Sequence, residues 1–297
     1  MLSKFAQKIH RIELTVGMRY MMLSAFGFSI MAVCVKFASG QGIPVLEIVA
    51  ARAFISLLLS YIDVRRKGIS LLGHKKLLLL SRGSVGALAL MCVYYAITHM
   101  PLAEATVLQY LHPMFTAILA LMFLKERIHV SVMLSIVCSF IGLLVIARPA
   151  LFFGVTENEF SYVAMGAAVL GAFGSAVAYV LVRKLNETED ASVIIFYFPL
   201  IALPVSLSLL GDDFVMPTGW AWGALLMVGI FTQVGQIGLT KAMKTETAGR
   251  ATAFSYLQVI FAVLLGWIIF DEIPDIWVSL GGGFILIGAI INAFCKR

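Results

Sequence analysis

The residues of this sequence that could do chemistry are few, and each stands inside or beside a long apolar run. Arg52 lies eight residues beyond Pro44, roughly 12 Å along a helix that rises 1.5 Å per residue. A guanidinium is planar and always charged. At that depth it either neutralises an anionic group of a bound solute or ties helices together. The acid near it in the chain, Glu47, is five residues away and off the i, i+4 face. His112-Pro113 is the sharpest local feature. Pro113 removes an amide and clashes with the carbonyl of Gln109, so a helix here kinks and opens polar backbone. Within a membrane such breaks are tolerated where they line a cavity. His112 then sits about 13–15 Å from its helix end. An imidazole there binds a solute, carries a coupling proton, or makes an interhelical hydrogen bond.

Other polar groups extend this set. Tyr110 and Tyr256, and Thr106 and Thr252, are two pairs separated by the same 146 residues, and Gln258 occupies the place of His112 at that spacing. They shape a cavity wall or pack the seam between halves. Tyr94, Tyr95, Gln109, Tyr179, Gln233 and Gln236 add aromatic and hydrogen-bonding capacity. The candidate substrate-binding residues are therefore Arg52, Tyr95, Gln109, Tyr110, His112, Tyr179, Gln236, Tyr256 and Gln258. Glu104 and Arg148, near helix ends, are candidates for a gate or for interfacial anchors, and His112 for coupling.

The same inventory argues against an enzyme. Every Asp lies at a loop or helix end, no HExxH occurs, and no Ser–His or paired-Asp arrangement falls within a run. Cys34, Cys92, Cys138 and Cys295 form no CxxC or metal-ligand spacing. No metal or cofactor is expected. Gly281-Gly282-Gly283 is followed by no basic residue, so it is read as a close helix approach rather than a phosphate loop.

The elements that must position these groups follow from composition. The chain has 297 residues, 61% hydrophobic and 13% charged, with a mean hydropathy of +0.98. Soluble domains run about 45–50% apolar and about 25% charged, so this chain could not cover an aqueous surface. Apolar runs fall at about 19–38, 44–62, 77–99, 102–124, 129–149, 160–182, 192–210, 219–240, 248–270 and 275–295. Each is near the roughly 20 residues that a span requires. The expected class is all-α, a polytopic membrane protein of ten transmembrane helices. Residues 1–17 are basic, with apolar residues at helical spacing, and predict an amphipathic segment on the membrane surface. A signal peptide is the rejected alternative, because the first run has a counterpart in the second half.

Charge sets the orientation. With the N-terminus in the cytoplasm, all of the 22 Lys and Arg except Lys36, Arg52 and Arg148 fall in cytoplasmic segments, Arg82 among them. External connections carry acids such as Asp212 and Asp213. The net charge of +6 is thus a topology signal rather than a nucleic-acid footprint. Both termini are expected in the cytoplasm and the chain in the inner membrane, with the lipid bilayer and a small-molecule substrate as partners, no nucleic acid, and a monomeric or homodimeric state.

The halves also repeat. A shift of 146 residues superposes Ser29 on Ser175, Ala105-Thr106 on Ala251-Thr252, Tyr110-Leu111 on Tyr256-Leu257, Glu126 on Glu272 and Gly142 on Gly288. Five spans per half is an odd number, so residues 150–297 form an inverted copy of 1–149. Inverted repeats around a midplane site are typical of secondary transporters.

The first half carries Arg82-Gly83, Tyr94-Tyr95-Ala96, Leu102-Ala103-Glu104-Ala105-Thr106-Val107, His112-Pro113-Met114-Phe115-Thr116-Ala117, Leu124-Lys125-Glu126 and Gly142 to Pro149. This pattern resembles the drug/metabolite transporter superfamily, in its EamA-type ten-helix branch. The Arg-Gly, Ala-Thr-Val and Arg-Pro elements look most like the solute carrier 35 G-type and S-adenosylmethionine-uptake-like members. The resemblance spans essentially the whole chain and implies two inverted five-helix repeats that transport a small polar metabolite. It names no cargo. In the second half Gly249-Arg250-Ala251-Thr252 replaces the Ala-Glu-Ala-Thr element, and no proline matches Pro113. The expectation is a secondary transporter of an amino acid-, nucleotide- or cofactor-like solute, anionic or zwitterionic, working by alternating access. A receptor or structural membrane protein and an intramembrane enzyme are the alternatives.

Overall fold

The computed structural model describes residues 15–99, 102–147, 162–271, 273–274 and 276–294. The amphipathic segment expected over residues 1–17 falls almost wholly outside them, as does Arg148, and of Glu104 only the backbone is described. Among the described residues all regular structure is helical: α1 (Val16–Gly40), α2 (Val45–Arg66), α3 (Lys76–His99), α4 (Leu102–Gln109), α5 (His112–Phe123), α6 (Val130–Ala147), α7 (Tyr162–Leu185), α8 (Ala191–Leu210), α9 (Trp220–Thr245), α10 (Ala248–Ala253), a 3-10 turn (Phe254–Tyr256), α11 (Leu257–Phe270) and α12 (Ile276–Phe294). Nine segments among the described residues are long and apolar enough to cross a membrane, and Val130–Ile146 is a shorter apolar tenth. Helices are what a chain of this composition must form, because lipid offers no partner to an open N–H or C=O. Thr15 starts α1 by accepting from the Met18 amide, and Asp190 starts α8 by accepting from Ser192.

Two of the ten crossings are interrupted. The span expected over 102–124 is α4 and α5, broken at Tyr110-Leu111 just before Pro113. The span expected over 248–270 is α10 and α11, joined by the 3-10 turn. It breaks without a proline. There the Thr252 hydroxyl donates back to the Ala248 carbonyl at 2.9 Å and Ser255 to the Thr252 carbonyl at 2.7 Å. Such back-bonding competes with the helical ladder.

Packing follows the repeat. Helix α1 lies on α9 and α3 on α7, while α2 meets α8 and α6 meets α12. Under the 146-residue relation α1 maps to α7 and α3 to α9. The first two contacts are therefore images of each other, and the last two are images of themselves. The α6/α12 crossing shows how close these contacts are. A Cβ built on Gly142 would lie 2.5 Å from the Gly281 carbonyl oxygen, and one on Gly281 would lie 2.4 Å from that of Gly142. At the other end of the crossing Ser135 donates to the Gly288 carbonyl at 2.6 Å. Small residues let backbones approach where the bilayer gives no hydrophobic drive for association.

One end of the bundle is held by a buried core and a set of ion pairs. Met18, Val64, Leu79, Leu185, Leu239, Met243 and Ala248 form a buried core there. Beneath it Arg183 donates to Glu126 at 2.8 Å and to the Met243 carbonyl at 2.9 Å. The other Glu126 oxygen accepts from the Ala248 amide at 2.8 Å. Glu246 pairs with Arg250 at 3.3 Å, and Asn292 donates to the Arg250 carbonyl at 2.9 Å. Lys67 bridges Asp63 and Asp190, each at 2.9 Å. Burial works against the Lys67 ammonium, but hydrogen bonds and charge from Asp190 and Asp63 outweigh it and hold the pKa above its ordinary 10.5. Burial likewise opposes the Asp190 carboxylate, while the Ser192 amide and Lys67 hold its pKa below 3.8.

Two outcomes follow. Gly281→Val forces a backbone-to-backbone contact apart, so thermal unfolding in detergent should show a loss of about 2 kcal/mol or more; an unchanged midpoint would mean the crossing is looser than described. The Lys67–Asp190 bridge contributes stability above the ordinary Asp value and below the ordinary Lys value, and loses it as pH falls through the lowered Asp190 pKa or rises through the raised Lys67 pKa. Asp190→Asn should therefore narrow the stability gap to wild type at low pH and leave it open at neutral pH, read as unfolding midpoint against pH.

Candidate functional site

The two broken crossings meet at the centre of the bundle. Pro113 cannot donate to the Gln109 carbonyl, and His112 Nδ1 takes that role at 3.0 Å. A carbonyl only accepts, so Nδ1 carries the proton and, in the neutral ring, Nε2 is an acceptor. Ser255 Oγ lies 3.4 Å from Nε2 but donates to Thr252 at 2.7 Å, which leaves Nε2 without a strong donor. The next carbonyl in the break, that of Tyr110, accepts from the Tyr256 hydroxyl at 2.9 Å. The two rings stack with centroids 5.5 Å apart. Residues related by the repeat thus join the two breaks.

Around this junction lies a cavity of about 240 Å³. Seven of the residues singled out in the sequence line it: Arg52 from α2, Gln109, Tyr110 and His112 from the first break, Tyr179 from α7, Gln236 from α9 and Gln258 from α11. His112 packs edge-on against Tyr179 at 5.4 Å. Gln109 Nε2 reaches Ser175 at 3.4 Å, and its Oε1 is buried without a hydrogen-bond partner. The repeat-related Ser29 donates to the Gln258 carbonyl at 2.9 Å.

The other two candidates stand elsewhere. Tyr256 is fully buried behind Tyr110 and contributes structure to the wall rather than surface. Tyr95 is 40% exposed and stacks on His99 at 4.1 Å, on the side of α3 turned away from the cavity. Gln233, also noted in the sequence, is taken up by Ser56 and Ser60 of α2.

Arg82 is the residue that sequence reasoning misplaced. Counted there as a cytoplasmic topology charge, it is 3% exposed and lines the cavity beside Arg52. The guanidinium carbons of Arg52 and Arg82 lie 6.0 Å and 5.4 Å from the centre of the same ring, that of Phe198. Contacts of this length are cation–π interactions of modest strength. Arg82 Nε has no hydrogen-bond partner. Among the described residues neither arginine forms an ion pair, and no carboxylate lines the cavity. Arg82, Gly86, Leu90 and Val93 form one stripe along α3. That i, i+4 spacing was the available signal, and it excludes Tyr95. Gly86 gives Arg82 its place, since a Cβ there would lie 2.4 Å from Arg82 Nη1.

A duplicated ten-crossing helical bundle with polar groups gathered at its centre defines a membrane transporter. The chain belongs to the EamA-like transporter family, whose model matches residues 15–148 and again residues 163–294. It is 35% identical over 282 residues to the pseudopaline exporter CntI of Pseudomonas aeruginosa, covering 95% of this chain and 97% of that protein. It is 31% identical to human solute carrier family 35 member G1, covering 95% and 80% respectively. A solved crystal structure matches with a TM-score of 0.77 at 18% identity, over 91% of this chain and 96% of that one, and supports the fold.

Gly86→Ala tests the seat of Arg82. Alanine favours the helix by about 1 kcal/mol, but its Cβ would meet Arg82 Nη1 at 2.4 Å and the buried Phe198 ring at 3.0 Å, so the gain is offset and the unfolding midpoint should stay near that of the wild type. Solute flux should fall about tenfold as Arg82 is displaced. Normal flux would show that the position of Arg82 does not matter.

Proposed function

We propose that this protein is a secondary transporter for a small zwitterionic or anionic metabolite, working by alternating access between its two halves in the inner membrane, with both termini cytoplasmic. The observation that carries the cargo class is the pair Arg52 and Arg82, two buried cations facing one cavity with no carboxylate beside them among the described residues. An ionised group within a span is costly unless it has a partner, and a carboxylate of the cargo supplies one. Gln109 Oε1 and His112 Nε2 add two acceptors to the same wall. An ammonium or amide N–H of the cargo satisfies them, which favours an amino acid-like solute over a simple acid. The similarity to a pseudopaline exporter and to a solute carrier supports movement of a small solute. The repeat supports alternating access, because two equivalent halves admit two equivalent openings. On this reading the Arg183–Glu126 pair stands at one opening and parts in the other state.

Flux into proteoliposomes decides the matter. Saturable exchange is expected for amino acids and carboxylates and none for organic cations. Arg52→Gln and Arg82→Gln should each lower kcat/KM about ten- to a hundredfold, the range of one charged hydrogen bond. Transport of cations, or of carboxylates at normal rates by both variants, would overturn the assignment. His112→Gln should raise KM while keeping the pH profile of uptake; a flattened profile would instead give His112 the coupling proton.

A further inference from the structure

Away from the cavity, the outward face of α2, α8 and α9 carries a larger hollow of about 640 Å³. Its walls are apolar, with Phe54, Leu207, Phe214 and Trp222 among them, and the sole ionisable residue lining it is Glu47. Glu47, Ala51 and Phe54 share one face of α2 at helical spacing. Glu47 stands in the first turn of that helix, and Phe54 lies about 10 Å further toward the middle of the bilayer. The hollow therefore runs from the membrane interface down into the hydrocarbon, with its charge at the interfacial end.

Glu47 is only 4% exposed. One carboxylate oxygen accepts from the Val215 amide at 2.9 Å, in the connection between α8 and α9. The other, Oε1, is buried without a hydrogen-bond partner. An open carboxylate oxygen in so apolar a setting calls for a donor, and preferably a cationic one. That same connection carries Asp212 and Asp213, so no basic side chain of this segment answers it.

We infer that the hollow is a binding site for an aminophospholipid, with its primary ammonium on Glu47 and one acyl chain along Phe54 and Leu207. A primary ammonium brings three N–H donors, whereas a quaternary ammonium brings none. Phosphatidylethanolamine therefore satisfies Glu47 Oε1 and phosphatidylcholine does not. An anionic phosphatidylglycerol headgroup has no cation to offer. The chain belongs in the hollow because lipid-facing walls of small and aromatic residues leave room for one. The Trp222 indole N–H supplies a donor for the lipid's own oxygens at the interfacial level, where such rings concentrate.

The test uses the purified, delipidated full chain in detergent, with phosphatidylethanolamine, phosphatidylcholine or phosphatidylglycerol of the same acyl composition added at equal mole fraction. Phosphatidylethanolamine should raise the unfolding midpoint about 3 °C above the other two. Glu47→Gln should abolish that margin. Gly223→Leu offers a second variant that should fold, because a Cβ at Gly223 meets nothing within 4 Å; it fills the hollow and should remove the margin while leaving Glu47 intact. Equal effects of the three lipids on the wild type, or a margin that survives both substitutions, would overturn the site. Stabilisation by dodecylamine without any by phosphatidylethanolamine would overturn the lipid and point to an amphiphilic amine.

Discussion

A carbonyl that has lost its amide is the point on which the centre of this protein turns. Pro113 leaves the Gln109 carbonyl without its helical amide in the middle of a membrane crossing, where an unpaired polar group costs several kcal/mol. The neighbouring ring of His112 closes that gap. Doing so fixes the tautomer and turns Nε2 into an acceptor. The Tyr110 carbonyl is closed from the other half of the molecule by Tyr256. The break that would destabilise a lone helix thus becomes the joint between two repeats, and the cavity exists because helical packing stops there.

The second repeat reaches the same break by different means. It lacks a proline, and Thr252 and Ser255 bond back to their own helix instead. The two breaks are equivalent in place and not in chemistry. His112 faces the cavity on one side and Gln258 on the other, so an inverted fold that is symmetric in backbone presents an asymmetric wall. Such a wall can distinguish the two ends of a small solute, which a pair of identical breaks could not.

Much of this was legible in the sequence, for reasons that are physical. Ten apolar runs must be helices because lipid permits little else, and the 146-residue offset brought Tyr110 and Tyr256 together before any contact was known. Arg82 and Tyr95 were read less well, and for one reason. A count of charges by segment registers that Arg82 lies near a basic connection, but not that it sits on the same face of α3 as Gly86, Leu90 and Val93. Tyr95 is two residues past Val93, about 200° around the helix, and so points to the other side. Polarity marks Tyr95 as a candidate and charge marks Arg82 as a topology signal; the rotation of the helix reverses both. The first break falls where Pro113 and the Gln109 carbonyl place it, whereas the second, with no proline to mark it, is not legible in the sequence.

The charges in the cavity are what the fold alone does not resolve. The open ends of the broken helices are closed by His112 and Tyr256, and the acceptors left in the wall, Gln109 Oε1 and His112 Nε2, are neutral. No carboxylate lines the cavity beside Arg52 and Arg82 among the described residues. Phe198 lies against both, but a ring face returns about 0.5–2 kcal/mol, while withdrawing a guanidinium from water costs several. At the end of the bundle that holds the ion pairs the same residue type is treated differently. There Arg183 has a carboxylate and two carbonyls, and Arg250 has Glu246 and Asn292. Among the described residues Arg183 and Arg250 have carboxylates and Arg52 and Arg82 have none, and that contrast is the ground for the anionic or zwitterionic cargo proposed above.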